Sequence, residues 1–257
     1  MRKIEVRIDG HQALLTINNP PANTWDGTSL TLLRDTVAKL NDNREIYALV
    51  LTGQGDKFFS AGADLNMFAD GDMANARRMA VEFSSAFETL SQFRGVSIAA
   101  INGFAMGGGL EAAMCCDIRI VESQAQMGLP EATVGLLPGG LGTQHLSWLV
   151  GEGWAKRMIL LGERVDAETA KAIGLVEEVV PTGESLSRAR EMATMAEKQS
   201  PTSIAACKHL IQSARHRAMS EGYILERDAF VDLFSTEDQI EGVNAFLEKR
   251  KPAWKNS

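Results

Sequence analysis

Cysteine is nearly missing from this chain: there are three, Cys115, Cys116 and Cys207, two of them adjacent. Thiols in that arrangement make neither a disulfide framework nor a zinc site of ligand spacing. Histidine is almost as scarce. The four, His11, His145, His209 and His216, are scattered, and no H-E-x-x-H helix occurs, so no metal is expected. The sequence also lacks a G-x-x-x-x-G-K-[ST] phosphate loop and a G-x-S-x-G nucleophile elbow. No apolar run approaches the roughly eighteen residues of a membrane-spanning helix. The N-terminus alternates charged and apolar residues from Arg2 onward and has no signal-peptide core. Basic residues are outnumbered, 26 against 33 acidic, for a net charge of −7. That balance argues against indiscriminate binding to nucleic acid or anionic membrane. What remains is ordinary globular composition, 257 residues of which 45% are hydrophobic, enough for one large domain or two small ones. The expectation is a soluble, cytoplasmic, enzymatic chain.

Periodicity then sketches the architecture. Residues 4–8 alternate at period two and residues 13–17 follow Asp9-Gly10, which reads as strand, turn, strand. Residues 18–23 (NNPPAN) break structure, because Pro20 and Pro21 lack the donor a ladder needs. Leu30, Leu33, Val37 and Leu40 predict an amphipathic helix over 28–40. Residues 46–52 are continuously apolar, as in a strand buried on both faces. The rhythm recurs with helix over 79–90, strand over 96–101, helix over 110–116 and strand over 117–121. Such alternation implies an α/β fold with crossover connections. A strand over 175–180 ends at Pro181, and only helices follow, over 184–198, 202–214, 223–234 and 237–249. A boundary near Ser200-Pro201 divides the chain into residues 1–200 and an all-helical piece, 201–257.

Three segments carry potential chemistry: FFSAGADL at 58–65, NGFAMGGGLE at 102–111, and LPE at 129–131 followed by GLLPGGLGT at 135–143. Small residues after a strand let backbone N–H groups approach a ligand unobstructed. A glycine triplet opening a helix aims free N–H groups at negative charge. Two such loops converging make an oxyanion hole, each donor contributing roughly 2.7–4 kcal/mol to a transition state. The same glycines also serve tight turns, Glu111 in a first helical turn is favoured by the dipole alone, and Glu131 after a proline suits a surface charge. Their company singles the two carboxylates out. Each sits beside a glycine-rich turn, in a chain with no other evident acid–base pair.

FSAGADL at 59–65, NGFAMGGGLEAAMCCD at 102–117, PEATVGLLPGGLGT at 130–143 and EGVNAFLEKRKP at 241–252, in that order, resemble the crotonase superfamily, in particular its enoyl-CoA hydratase/isomerase branch. With the hairpin and NNPPAN the resemblance spans nearly the whole chain. It implies a crotonase-like spiral of ββα units over 1–200, then a helical region over 201–257 used in trimer assembly, with trimers often paired into hexamers. It implies an oxyanion hole from the N–H groups of Ala63 and Gly108, and catalytic glutamates at Glu111 and Glu131. Coenzyme A contacts fall on Lys57, Ala61, Ala63, Asp64 and Leu65. Phe230 and Lys249 match positions covering the adenine and phosphate end, sometimes from a neighbouring subunit.

The implied reaction adds water across the C2–C3 double bond of a trans-2-enoyl-CoA, with Glu111 as partner of the water and Glu131 managing the C2 proton. No cofactor is implied, the coenzyme A thioester being the substrate, and neither nucleic acid nor membrane is an expected partner. A Δ3–Δ2 isomerase or another crotonase-type lyase would use the same hole. A non-catalytic acyl-CoA binder or RNA-binding scaffold would not need both glutamates. A helix N-terminus favours the ionised form of Glu111.

The chain departs from the family pattern at Leu141, where a glycine is frequent, at His145, where an arginine is common, and at Asn66, where lysine or glutamate is frequent. Met67, Phe68, Met73, Met79 and Met106 are candidates for an adaptable acyl lining, or for plain core. Residues 70–76 (DGDMANA) are expected to form a mobile loop at its border.

Overall fold

A computed structural model describes residues 2–257. Alternating apolar residues close the antiparallel hairpin of β1 (Ile4–Asp9) and β2 (Gln12–Ile17), with Ala13, Leu15 and Ile17 buried. Asp26 caps α1 (Gly27–Asp42). Its carboxylate accepts the Ser29 N–H while the Ser29 hydroxyl accepts the Asp26 N–H, and Leu30, Leu33, Val37 and Leu40 make the buried stripe.

One unit then repeats three times: a strand of a large sheet, a short strand of a second sheet, and a helix. The first turn is β3 (Ala48–Gly53), β4 (Phe58–Ser60) and α2 (Met73–Ser91). The second is β5 (Val96–Ile101), β6 (Phe104–Met106) and α3 (Gly108–Met114). The third is β7 (Ile118–Glu122), β8 (Gln126–Gly128) and α4 (Gly142–Leu160). Next come β9 (Val165–Asp166), α5 (Ala167–Ala172) and β10 (Glu178–Val180). The chain ends with α6 (Ser185–Ala196), α7 (Pro201–Ser213), α8 (Met219–Leu233) and α9 (Glu237–Leu247). The large sheet runs β1-β2-β3-β5-β7-β10, parallel beyond the hairpin, and the small one runs β4-β6-β8-β9. This is the expected ββα spiral.

Strand β3 shows why the apolar run at its centre is continuous. Leu49 and Leu51 join the main core, while Ala48 and Val50 turn to a second core closed by Ala189 and Ala193 of α6. Alternate side chains point to opposite faces of a strand, and here both faces are covered.

Several boundaries move. The strand expected over 175–180 contracts to β10, although Leu175 and Val176 are buried. The loop expected over 70–76 is shorter, because Asp72 accepts the Ala74 N–H and starts α2 at Met73. The helix expected over 110–116 begins at the glycine triplet, and α8 begins at Met219 rather than Tyr223. The small sheet, α4 and α5 have no counterpart in the sequence reading. Among the described residues, no helix is long and apolar enough to cross a membrane.

Helix α7 is anchored by one cation. The Lys208 ammonium donates to the carbonyls of Phe93 (2.5 Å) and Gly95 (3.1 Å) and to Asp117 Oδ2 (2.7 Å), with only 11% of its side chain exposed. Lys208→Met leaves a half-buried carboxylate and two carbonyls without this donor. The expected loss is roughly 2–4 kcal/mol, read as a lower urea midpoint with an unchanged slope at fixed protein concentration.

Candidate active site

The junctions between short strand and helix in successive turns of the spiral meet at one cleft of about 430 Å³. The first junction contributes Ala63. Trp25 pairs with this segment, its N–H donating to Gly62 O (2.8 Å) and its carbonyl accepting the Asp64 N–H (2.8 Å). Gly62 sits at φ +92, a conformation open to glycine, and among the described residues no hydrogen bond outside the regular elements takes up the Ala63 N–H. The second junction contributes Gly108, the first residue of α3, whose N–H has no partner within its own helix. A Cβ placed on Gly108 would lie 3.8 Å from Ala63 N and 3.2 Å from the Trp25 and Phe83 rings. The two N–H groups are therefore neighbours. The Trp25 indole N–H fixes the spacing by donating to Gly108 O (3.1 Å).

Glu111 lies one turn into α3 and is 3% exposed. Its Oε1 accepts two N–H groups, from Gly140 and from Gly142, both at 2.8 Å. Leu141 between them adopts the left-handed conformation, φ +76 and ψ 3, which turns the flanking N–H groups towards one oxygen as in an anion-binding nest. A non-glycine residue there costs about 1 kcal/mol. Its side chain packs against the core. Glu131 opens the short 3-10 turn Glu131–Val134. Its Oε2 is buried without a hydrogen-bond partner among the described residues, and Oε1 lies 2.9 Å from where a Cβ on Gly107 would sit. Gly107, at φ +52, gives the chain its turn into α3 and gives Glu131 its room.

Burial and the like charge of Glu131 push the Glu111 carboxyl up to about 7, against the opposing pull of the two glycine N–H groups. Burial raises Glu131 as well. The ionised form of Glu111 expected from its helix N-terminus is thus overruled by desolvation. Both groups hold protons closer to neutrality than ordinary carboxyls do, as acid–base catalysis requires.

The other expected site residues divide. Ala61, Ala63 and Leu65 line the cleft. Asp64 is turned onto Asn66, accepting from its N–H (3.1 Å) and its side-chain amide (2.8 Å). Lys57 is exposed, its ammonium 5.3 Å from the centre of the Phe58 ring. Phe230 and Lys249 stand away from the cleft lining: Phe230 packs edge-on to Phe234 at 5.4 Å, and Lys249 follows α9. Of the five candidates for an acyl lining, Phe68 lines the cleft and no methionine does. Met79 and Met106 are buried, and Met73 is 81% exposed. The apolar lining comes instead from Ala76, Ala80 and Phe83 of α2 and from Val134, Leu136 and Leu137. The helical spacing of 76, 80 and 83 was the available signal.

His145 bonds Met114 O through Nδ1 (3.1 Å), and burial lowers its pKa, so a neutral ring closes the end of α3. Among the described residues, no group of three or more His, Cys, Asp or Glu side chains is placed to hold a metal ion.

The spiral is that of the crotonase fold. Residues 8–257 match the family described as enoyl-CoA hydratase/isomerase, and the chain belongs to that family. It is 38% identical over 244 residues to the short-chain-enoyl-CoA hydratase of Clostridium acetobutylicum, covering 95% of this chain and 94% of that protein. It is 40% identical over 244 residues to the crotonyl-CoA hydratase of Syntrophomonas wolfei, covering 93% and 92%. The solved structure of Pseudomonas aeruginosa DspI is similar with a TM-score of 0.96 at 64% identity, over 99% of this chain and 97% of that one.

Glu111 makes stability depend on pH. Its pKa rises from 4.5 unfolded to about 7 folded, so between those values the folded state holds a proton that the unfolded chain has lost. The stabilisation is fully present below pH 4.5 and is lost as pH rises through 7. Glu111→Gln is neutral throughout and still accepts both N–H groups. Its stability relative to the parent should improve by roughly 2–3 kcal/mol between pH 5 and pH 8, measured by urea unfolding of both proteins. A constant difference would mean an ordinary carboxyl.

Proposed function

We propose that this protein adds water across the C2–C3 double bond of a trans-2-enoyl-CoA. The observation that carries the reading is the meeting of a buried carboxyl, Glu111, a half-buried one, Glu131, and the backbone N–H groups of Ala63 and Gly108 at one cleft. The thioester oxygen sits between the N–H groups of Ala63 and Gly108. As the water oxygen bonds to C3, the C2–C3 π electrons shift towards C1 and negative charge collects on that oxygen. The N–H groups gain most in this enolate, which is what lowers the barrier. Glu111 takes the proton from the attacking water, its ionised form supported by the glycine N–H groups on Oε1, which leaves Oε2 for the water. Glu131, whose buried Oε2 has no donor, delivers a proton to C2. Water is consumed in full, and each carboxyl ends in the other's starting state.

Isomerisation would need Glu131 alone, so the fixed, buried Glu111 favours hydration. No cofactor takes part beyond the thioester, since the enolate is held by the backbone. Ala61, Ala63 and Leu65, which line the cleft, border the pantetheine end.

Crotonyl-CoA loses its conjugated absorbance on hydration. Purified protein should bleach it, and Glu111→Ala and Glu131→Ala should each lower kcat at least about 100-fold. Full hydration by Glu111→Ala would overturn the two-carboxyl reading, and turnover of a 3-enoyl-CoA alone would replace it by isomerisation.

The chain is further proposed to work as a homotrimer, alone or paired into hexamers. Helix α8 has no buried side chain, and Phe230, Val231 and Phe234 are 62%, 65% and 56% exposed. On α9, Phe246 and Leu247 are 83% and 71% exposed. Apolar surface on this scale marks an interface, and assembly would carry Phe230 and Lys249 towards a neighbour's cleft. Sedimentation equilibrium should return three or six times 27.9 kDa; a monomer at micromolar concentration would exclude it.

A further inference from the structure

The cleft does not end at the carboxyls. Phe83 is 6% exposed and stands at the reacting end, its ring edge 3.2 Å from the Cβ position of Gly108. Ala80 and Ala76 follow along the same face of α2, both lining the cleft and both exposed. The cleft therefore opens along the helix, away from the chemistry, over two positions that carry only a methyl group. Its other apolar wall comes from the segment after Glu131, where Val134, Leu136 and Leu137 are 51%, 41% and 70% exposed. None of these side chains is charged, and all but Phe83 are exposed.

From Phe83 to Ala76 the helix rises roughly 10 Å at about 1.5 Å per residue. An extended alkyl chain advances roughly 1.3 Å per carbon, given carbon–carbon bonds of about 1.5 Å. The groove thus accepts roughly eight carbons beyond C3 by these two spacings. A crotonyl group has one, and it would leave both alanines and the second wall in water. Each further methylene buried is worth about fourfold in affinity for the bound state.

From this geometry we infer that the groove selects medium-chain acyl thioesters, roughly eight to eleven carbons in all by the same spacings, with Ala80 and Ala76 as the residues that set chain length. The inference rests on the proposed reading of the cleft as an enoyl-CoA site. Larger side chains at these positions fill the groove at different depths. Ala80→Phe obstructs it about one turn from Phe83, and Ala76→Phe about two.

The test has two arms, each using the parent, Ala80→Phe and Ala76→Phe. In the first, kcat/KM is measured for trans-2-enoyl-CoAs of four, six, eight and ten carbons. The parent should prefer eight and ten carbons over four by at least about tenfold. Ala80→Phe should lower that ratio at least tenfold. Ala76→Phe should do so at ten carbons and spare six. A parent indifferent to chain length, or an Ala80→Phe that lowers all lengths equally, would overturn the proposal.

The second arm measures binding of saturated butyryl-, octanoyl- and decanoyl-CoA by calorimetry and needs no turnover. Were hydration to fail for every substrate, octanoyl-CoA binding tighter than butyryl-CoA and weakened selectively by Ala80→Phe would uphold the groove while the hydratase reading fell. Equal affinity for all three would sink the groove itself.

Discussion

Everything at this cleft depends on the two N–H groups of Gly140 and Gly142 converging on one oxygen of Glu111. A carboxyl that is 3% exposed has lost most of its water, and burying such a group without partners costs several kcal/mol. The partners come from a different turn of the spiral, at the N-terminus of α4, so two turns must pack correctly before Glu111 is satisfied. Leu141 is the adjustment that lets both N–H groups reach. Its left-handed backbone is a local cost of about 1 kcal/mol, smaller than the penalty of leaving a buried carboxyl without a donor. The side chain offsets part of that cost by packing against the core. A leucine can therefore occupy a turn that glycine would adopt freely.

The same contact sets the chemistry. Two N–H groups alone would hold Glu111 ionised and make it a poor proton carrier. Burial and the facing Glu131 outweigh them and bring the carboxyl up to about 7, where protonated and ionised forms are both accessible at neutral pH. Glu131 reaches a raised pKa by a simpler route, burial with one oxygen left unpaired. One carboxyl is supported as an anion and the other is not, so the pair is asymmetric before any substrate enters. Two carboxyls in such unequal settings divide acid and base roles.

How much of this was legible in the sequence follows from length and distance along the chain. Strand β5 falls at residues 96–101 as read, and the stripe Leu30, Leu33, Val37 and Leu40 marks α1 correctly, because each presents a full period of its pattern. Strands β4, β6 and β8 have three residues each, too few to show an alternation, and so the second sheet was invisible. Helix α4 is interrupted at Gly151, whose φ is +76, and its pattern breaks with it. At the site, Glu111 and Glu131 stood out by their neighbouring glycines and by the family resemblance. The partnership of Glu111 with Gly140 and Gly142 spans about thirty residues and has no local signature. The methionines misled for a related reason. Composition suggested an adaptable lining, but the packing of α2 turned Met79 inward and left its alanines to face the cleft.

Those alanines connect fold and selectivity. A helix that packs one face into a core is free to vary its other positions, and α2 commits Met79, Phe83, Ala86, Phe87 and Leu90 to burial. Phe83 belongs to both faces: it packs with Phe87 at 5.8 Å in the core and lines the cleft beside Gly108. It therefore fixes the reacting end of the groove, and changing it would disturb the core and the N–H pair together. Ala80 and Ala76 line the cleft and are not among the buried residues of α2. In the proposed function, side-chain size at these positions sets the length of the acyl chain, while Ala63, Gly108, Glu111 and Glu131 carry the reaction. The spiral builds the proposed centre from three turns at once, while the groove beyond is walled by one helix face and a short segment, and in the proposed function that division separates the reaction from the choice of chain length.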